Sequence, residues 1–422
     1  MGILGWDRLG AETEARISDS IVNQRALPSP ISLELQPTNR CNVDCFFCSA
    51  RRYRNDEFIE WPRLEAQLRH AAAHGLRFIR LSGGGESLIY PKLRSLLDLM
   101  GELGLRLSDL TTNATPLAPY AEHIGAVGLD IASISMNEAT EELYAQTMQS
   151  PARMYEKALE GIRALIAVRD NAAPDDRPYI QLKFMFHRRN FHTLPQMLAL
   201  ARELRADHVL INHLWGLKPG ERLQPEEVAA AREILPGVIA DDMTSGRPLL
   251  AFNLGPEGDL QQVADREISR HLTVGTTAAP ARGCRTKYCL MGWYHTTVSA
   301  TGLVYPCCNF VGLPGKDVGN LATQTLEEIW HGEPYEQFRR EFRWMMVMKG
   351  QVNSSRKLHR YLEPGCIAEN ECPFAWGLAS DPFYAELAER MDREVGTAER
   401  TAATVRQGLI ATAQKSRRLL GV

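Results

Sequence analysis

Three cysteines within eight residues constrain this chain more than anything else in it. They are Cys41, Cys45 and Cys48, spaced C-x3-C-x2-C in QPTNRCNVDCFFCSA. The spacing lets three thiolates gather on one side of a short loop. A [4Fe–4S] cluster takes four ligands, and this loop offers three, so one iron is left open to something other than protein. A fully ligated cluster only shuttles electrons, whereas an open iron can bind and reduce a substrate or cofactor. Zinc completed by a ligand from elsewhere also fits three nearby thiols, as do buried thiols with no metal. Zinc ribbons and fingers usually pair their cysteines as C-x2-C, and a gap of three followed by a gap of two departs from that pattern.

The 422 residues are enough for two domains. A hydrophobic share of 44% and a charged share of 23% are ordinary for a soluble globular chain. A net charge of −3 gives no electrostatic case for nucleic acid as a partner. The start, MGILGWDRLGAETEARISDS, lacks the basic and apolar run of a signal peptide, and no window has the length of a membrane span. Nine cysteines without an export signal favour metal or redox chemistry over disulfides, and a cytoplasmic location is expected.

Strand-like runs alternate with helix-like stretches from Ile31 onward. ISLELQ leads into the cysteine loop, and RFIRLSG, LRLSDLTTN, GLDIASISM, YIQLKFMF and HVLINHLW follow. Six strands with helical crossovers predict an α/β fold with a parallel sheet curling toward a barrel. Functional groups then belong at the C-terminal strand ends. SGGGE, with Gly83, Gly84, Gly85 and Glu86, follows the second strand, where glycines let backbone approach a ligand closely or simply make a turn. Asn113 ends the third strand and Ser133 and Ser135 the fourth, as mouth-facing polar groups or as turn residues. Lys183 on the fifth strand suits either an anionic ligand or a rim salt bridge.

With these stations in place, the stretch from Ile31 to about Trp215 resembles the radical S-adenosylmethionine (radical SAM) superfamily. The resemblance implies a partial (β/α)6 TIM-type barrel. It also implies that the open iron chelates S-adenosylmethionine, whose one-electron cleavage yields a 5′-deoxyadenosyl radical. Under it, the Gly-Gly-Glu element contacts the methionyl amino end and Phe47 packs beside the adenine. Asn113, Ser133 and Ser135 are assigned to the ribose and methionyl carboxylate.

The later cysteines resemble the auxiliary-cluster extensions of the SPASM and shorter twitch type. Cys289, twelve residues, Gly302, four residues and Cys307 match, and VGNLATQTLEEIW continues the match. TTVSATGLVYP has β-branched residues flanking an Ala-Thr-Gly turn, which predicts a hairpin with Cys289 and Cys307 near its open ends. A full SPASM domain uses seven cysteines for two clusters, and this region has six. One auxiliary [4Fe–4S] cluster is therefore expected, on Cys289, Cys307, Cys366 and Cys372, with Cys284 as the substitute. A four-cysteine zinc site is the alternative, and either metal would staple a region that reads as having little apolar core. Cys308, spare beside a ligand, is the candidate catalytic hydrogen-atom donor, facing a chamber between domains.

The expected domains are an N-terminal helix and connector at 1–30, the barrel at 31–217 and a bridge at 218–282. An auxiliary-cluster domain at 283–375 and a helical segment at 376–422 complete them. The expected function is a radical SAM oxidoreductase or epimerase of antibiotic biosynthesis. Its small-molecule substrate would be carbohydrate- or aminocyclitol-like, and its electron would come from a flavodoxin- or ferredoxin-like donor. A peptide-modifying maturase is the alternative; the thirty or so residues ahead of the first strand are too few for a leader-binding domain with its own core. A non-catalytic Fe–S electron-transfer protein is the reading from another class.

Overall fold

The computed structural model describes residues 5–213, 224–250, 289–347, 360–361 and 382–395. The chain divides into two compact units, residues 1–34, 62–78 and 280–422 in one and residues 35–61 and 79–279 in the other. Helix α1 (Ala11–Val22) and strand β1 (Ser32–Leu35) open the chain. They are followed by α2 (Trp61–His74), β2 (Phe78–Leu81), α3 (Leu93–Glu102), β3 (Arg106–Thr112), α4 (Ala121–Val127) and β4 (Leu129–Ile134). Next come α5 (Glu141–Met148), α6 (Arg153–Asn171), β5 (Tyr179–Phe186), α7 (Leu194–Glu203), β6 (His208–His213) and α8 (Pro225–Thr244).

The order β6-β5-β4-β3-β2-β1 follows the chain, and β3 through β6 pair in parallel. Every crossover is helical, so this is the expected partial (β/α)6 TIM-type barrel. Alternation sets which side chains meet which environment. On β5, Ile180, Leu182, Phe184 and Phe186 are buried, whereas Tyr179, Gln181, Lys183 and Met185 on the other face are half-buried. Burying each such apolar side chain contributes about 1.5–3 kcal/mol, so a one-residue slip in register would forfeit several of these terms at once. The helices bury their faces by the same logic, as with Leu93, Leu96, Leu97 and Met100 on α3.

A buried polar layer crosses the other face of the sheet. Asp109 accepts from Arg80 Nε (2.9 Å), Thr111 Oγ1 (3.0 Å) and Ser133 Oγ (2.5 Å). Gln181 Nε2 then donates to Ser133 Oγ at 2.7 Å. A buried carboxylate is costly unless paired and hydrogen-bonded, and Asp109 is both.

In the other unit, β7 (His295–Val298) and β8 (Leu303–Tyr305) form the expected antiparallel hairpin. Gly302 takes its turn at φ +79°, a conformation that favours glycine. Strand β9 (Gly319–Asn320) pairs with β8, and β7 neighbours β1. The helix Leu326–Trp330 begins in a capping box between Thr325 and Glu328. The expectation of little apolar core fails here. Trp293, Phe310, Trp330, Tyr335, Phe338 and Tyr361 are all buried. Arg339 lies across Trp330 and Tyr335, 4.5 and 4.8 Å from their ring centroids, and bonds the carbonyls of Gly292 and Trp330. These aromatics are scattered over about seventy residues of sequence, so no single run of the chain reads as apolar.

The stretch 218–282 is described only over residues 224–250, which hold α8, and 376–422 only over residues 382–395, which include the helix Pro382–Glu394.

Candidate functional site

The cysteine loop follows β1 and is held from several sides. Asp44 and Phe46 donate their N–H groups to Met148 O (2.9 Å) and Thr147 O (3.2 Å) at the end of α5. Cys48 N–H donates to Cys45 O at 3.1 Å, closing the last turn of the loop. Upstream, Arg40 N–H is taken by Thr38 Oγ1 (3.1 Å) and Asn39 N–H by Glu57 O (2.9 Å). All three thiols are half-buried, and Cys45 Sγ lies 3.4 Å from Met148 Sδ. Burial pushes the Cys41 thiol up and that of Cys45 to about 12, with the other cysteines adding to the effect. Thiolates at such positions call for a compensating positive charge, which bound iron supplies. Among the described residues no three Cys, His, Asp or Glu side chains gather on one ion.

The three glycines of SGGGE pack directly on this loop. A Cβ at Gly83, where φ is +145°, would lie 2.8 Å from Gln36 Cβ. One at Gly84 would meet Asn39 Oδ1 at 2.4 Å, and one at Gly85 would meet the Arg40 carbonyl oxygen at 1.8 Å. Glycine is required here for close approach of two backbones, in addition to any contact with a ligand.

Glu86 is fully buried and accepts three hydrogen bonds. Leu88 N–H and Thr112 Oγ1–H reach Oε1 (3.1 and 2.8 Å), and Asn113 N–H reaches Oε2 (2.7 Å). Burial raises its carboxyl above the usual range, while these donors pull it back. Its observed partners therefore fix the turn after β3. In that turn Asn113 Nδ2 donates to Asn42 Oδ1 (2.8 Å), and Asn113 Oδ1 accepts from Thr115 N and Oγ1 (3.0 and 2.7 Å). Ala114 is held at φ +62°, with Gly161 of α6 close enough that a Cβ would fall 2.2 Å from its carbonyl oxygen.

The remaining candidates are spread out. Ser135 follows β4, half-buried, with its N–H on Thr112 O (2.7 Å). Ser133 sits one register step deeper in the Asp109 layer, and Lys183 Nζ lies 3.4 Å from Thr111 Oγ1. Phe47 is half-buried, edge-on to Phe46 at 5.3 Å. Sequence reasoning passed over Asn42, Arg54, Phe46 and Met148, which touch the loop from positions with no motif of their own. Asn42 and Phe46 stand beside the cysteines, which was the one signal available for them.

In the other unit, Cys307 is buried just after β8 and Cys289 is half-buried just before the turn into β7. Cys308 is half-buried with Sγ 4.0 Å from Asn309 Oδ1. Cys284, Cys366 and Cys372 lie outside the described residues.

Three thiols on the loop after the first strand of a partial barrel, locked by a glycine-rich second loop, define a class of protein that carries an iron–sulfur cluster for radical chemistry. Residues 35–171 match the radical SAM superfamily, and residues 289–352 match the SPASM iron–sulfur cluster-binding domain. The chain carries a radical SAM domain and a SPASM domain. The family's [4Fe–4S] cluster, S-adenosylmethionine and auxiliary iron–sulfur centres are therefore its cofactors.

Among particular proteins, the chain is similar to PqqA peptide cyclase of Gluconobacter oxydans, with 28% identity over 331 residues that cover 76% of this chain and 82% of the relative. PqqA peptide cyclase of Xanthomonas campestris is 27% identical over 326 residues, covering 74% and 77%. The crystal structure of Streptococcus suis SuiB bound to precursor peptide SuiA shares the fold, at a TM-score of 0.51 and 16% identity, covering 77% of this chain and 70% of that one. These relatives overturn the expectation of a small-molecule substrate, since by their names they work on peptides. No helix among the described residues is long and apolar enough to cross a membrane.

Proposed function

We propose that this chain is a peptide-modifying radical SAM/SPASM enzyme that joins or oxidises side chains of a precursor peptide. One observation carries the reading: similarity to peptide cyclases runs across 82% of such a relative's length, through both cofactor-bearing domains.

When bound, the cluster and S-adenosylmethionine supply the radical that abstracts hydrogen. The protein's own residues hold the geometry. Gly83, Gly84 and Gly85 set the height of the cysteine loop, and Glu86 fixes the turn bearing Asn113. Arg80, Asp109 and Ser133 brace the sheet beneath. Sub-ångström positioning of this kind is what makes a reacting hydrogen reachable.

Cys308 keeps its proposed role as a hydrogen-atom donor to a substrate radical, which would give an epimerised residue in place of a cross-link. The test is incubation of the anaerobically reconstituted enzyme with S-adenosylmethionine, a reductant and candidate precursor peptides in deuterated water. Loss of two hydrogen atoms with an internal link in the fragment spectrum is the expected result. Deuterium at one inverted carbon would select the epimerase outcome. Cofactor cleavage that leaves every peptide unchanged, while a small carbohydrate is altered, would overturn the peptide reading.

A further inference from the structure

The cysteine loop carries a guanidinium that none of the assigned roles uses. Arg54 reaches back over the loop from just beyond it. Its Nη1 donates to Val43 O (3.1 Å) and Asp44 Oδ1 (2.9 Å), and its Nη2 donates to Cys48 Sγ (3.2 Å). The side chain is only 18% exposed, so water screens its charge poorly. Its Nε is buried without an acceptor among the described residues. An orphaned buried donor beside three thiols is costly in the bare protein, and a cluster sulfide is the kind of acceptor that would satisfy it.

Among the described contacts, Arg54 is the cation that bonds a cysteine sulfur of the loop. Asp44 is half-exposed and shared between Arg51 and Arg54, so the pair of arginines outweighs the one carboxylate. Arg51 is more exposed than Arg54, and no bond from it to a cysteine sulfur is seen among the described contacts. Glu86, the other nearby carboxyl, opposes Arg54 at Cys41, but its hydrogen bonds go to Leu88, Thr112 and Asn113 rather than to a cysteine.

We propose that Arg54 is a positioning residue that sets the reduction potential of the cluster on Cys41, Cys45 and Cys48, through its bond to Cys48 and its fixed charge. A [4Fe–4S]2+ core with three thiolates has a net charge of −1, and uptake of one electron takes it to −2. A cation at fixed distance stabilises the second state more than the first, so it raises the potential and eases the first electron transfer. The electron comes from an external one-electron donor, and no bond changes in this step. Arginine suits the position because one rigid fork can hold loop backbone, carboxylate and sulfur together, while its charge persists at any working pH.

The test is a reductive titration of the reconstituted full-length enzyme, following by electron paramagnetic resonance the reduced signal that changes when S-adenosylmethionine is added. That change separates this cluster from any auxiliary one. At the wild-type midpoint, Arg54→Met is expected to lower the ratio of reduced to oxidised cluster about tenfold, a shift of about 59 mV for a one-electron couple. Arg54→Lys, which keeps the charge, is expected to lower it less than threefold. Iron and sulfide content serve as the control for an intact cluster. An unchanged ratio in a fully loaded Arg54→Met enzyme would overturn the proposal, as would an Arg54→Lys enzyme that shifts as far as Arg54→Met. Should Arg54→Met fail to hold iron, unsubstituted enzyme carrying isotopically labelled arginine decides. A guanidinium nitrogen coupled to the reduced cluster supports the proposal, and the absence of that coupling overturns it. Each readout is independent of which peptide the enzyme modifies.

Discussion

Gly85 and Arg40 meet backbone to backbone: a Cβ on Gly85 would lie 1.8 Å from the Arg40 carbonyl oxygen, which also accepts the N–H of Glu86 at 2.8 Å. The contact joins the glycine loop to the residue just before Cys41. A methyl group there must displace backbone, and overpacking of this kind costs about 1–3 kcal/mol. Gly85→Ala is therefore expected to lower the iron retained after reconstitution by at least half. Gly101→Ala, whose Cβ meets nothing within 4 Å, is the control and should load normally. Equal iron in both variants, by colorimetric assay, would remove this contact from the account of the site.

Glu86 should prove as much a structural residue as a ligand-binding one. Glu86→Ala strands Asn113 N–H and leaves Thr112 and Leu88 without their acceptor. Leaving one such group unsatisfied costs about 1–3 kcal/mol. Urea unfolding of the apoprotein should register a loss of that size. An apoprotein as stable as wild type would mean that Glu86 serves the cofactor alone.

Gly161 should be intolerant of alanine for a related reason. Its Cβ would fall 2.2 Å from the Ala114 carbonyl oxygen, next to Asn113. Gly161→Ala should lose about 1–3 kcal/mol of stability despite alanine's better helix propensity. A stabilised variant in thermal unfolding would show that the turn can move.

Alkaline pH should destabilise the apoprotein. Burial pushes the Cys45 thiol from 9.0 to about 12, and the Tyr90 and Tyr361 hydroxyls from 10.0 to about 12. In this range the folded chain holds protons that the unfolded chain releases. The resulting stability is complete below the ordinary values and is lost as pH rises through the folded ones, a window of about 9 to 12. Each group contributes a slope of at most about 1.4 kcal/mol per pH unit. Urea unfolding under reductant at about pH 8 and about pH 10.5 should show the fall, and Tyr90→Phe should flatten it. An equal slope in that variant would take Tyr90 out of the effect.

The two neighbouring cysteines of the hairpin should separate. Cys307 is buried and Cys308 is half-buried. If Cys307 is an auxiliary ligand, Cys307→Ser should lower total iron, whereas Cys308→Ser should leave it unchanged. Loss of iron from both, by metal analysis, would make Cys308 a ligand as well and end its role as a free donor.

Much of the site was legible in local sequence because its chemistry is local. The spacing of Cys41, Cys45 and Cys48 lies within one loop, and the period-two pattern of YIQLKFMF fixes the two faces of β5. The hairpin turn at Gly302 follows from conformational freedom at a single residue. What sequence reasoning missed depends on residues far apart in the chain. Asp44 and Phe46 are held by Met148 and Thr147, about a hundred residues on, and Ser133 proved to belong to a layer with Asp109 and Gln181. The small-molecule expectation leaned on the six later cysteines and on the short stretch ahead of the first strand, and neither carries information about what the enzyme binds; the relatives corrected it.

The sequence by itself determined that three thiolates share one loop at the end of a strand, since ligand spacing and strand periodicity are properties of a few consecutive residues. Only the tertiary structure decided what surrounds that loop. It placed Gly85 against Arg40, turned Glu86 toward Asn113, and laid Arg54 across Cys48. The physical reason is that close packing and the pairing of buried polar groups are settled between segments brought together by folding. As the proposed ligands, Cys41, Cys45 and Cys48 would hold a cluster, and the neighbours that folding supplies would set how tightly it is held and how readily it takes an electron.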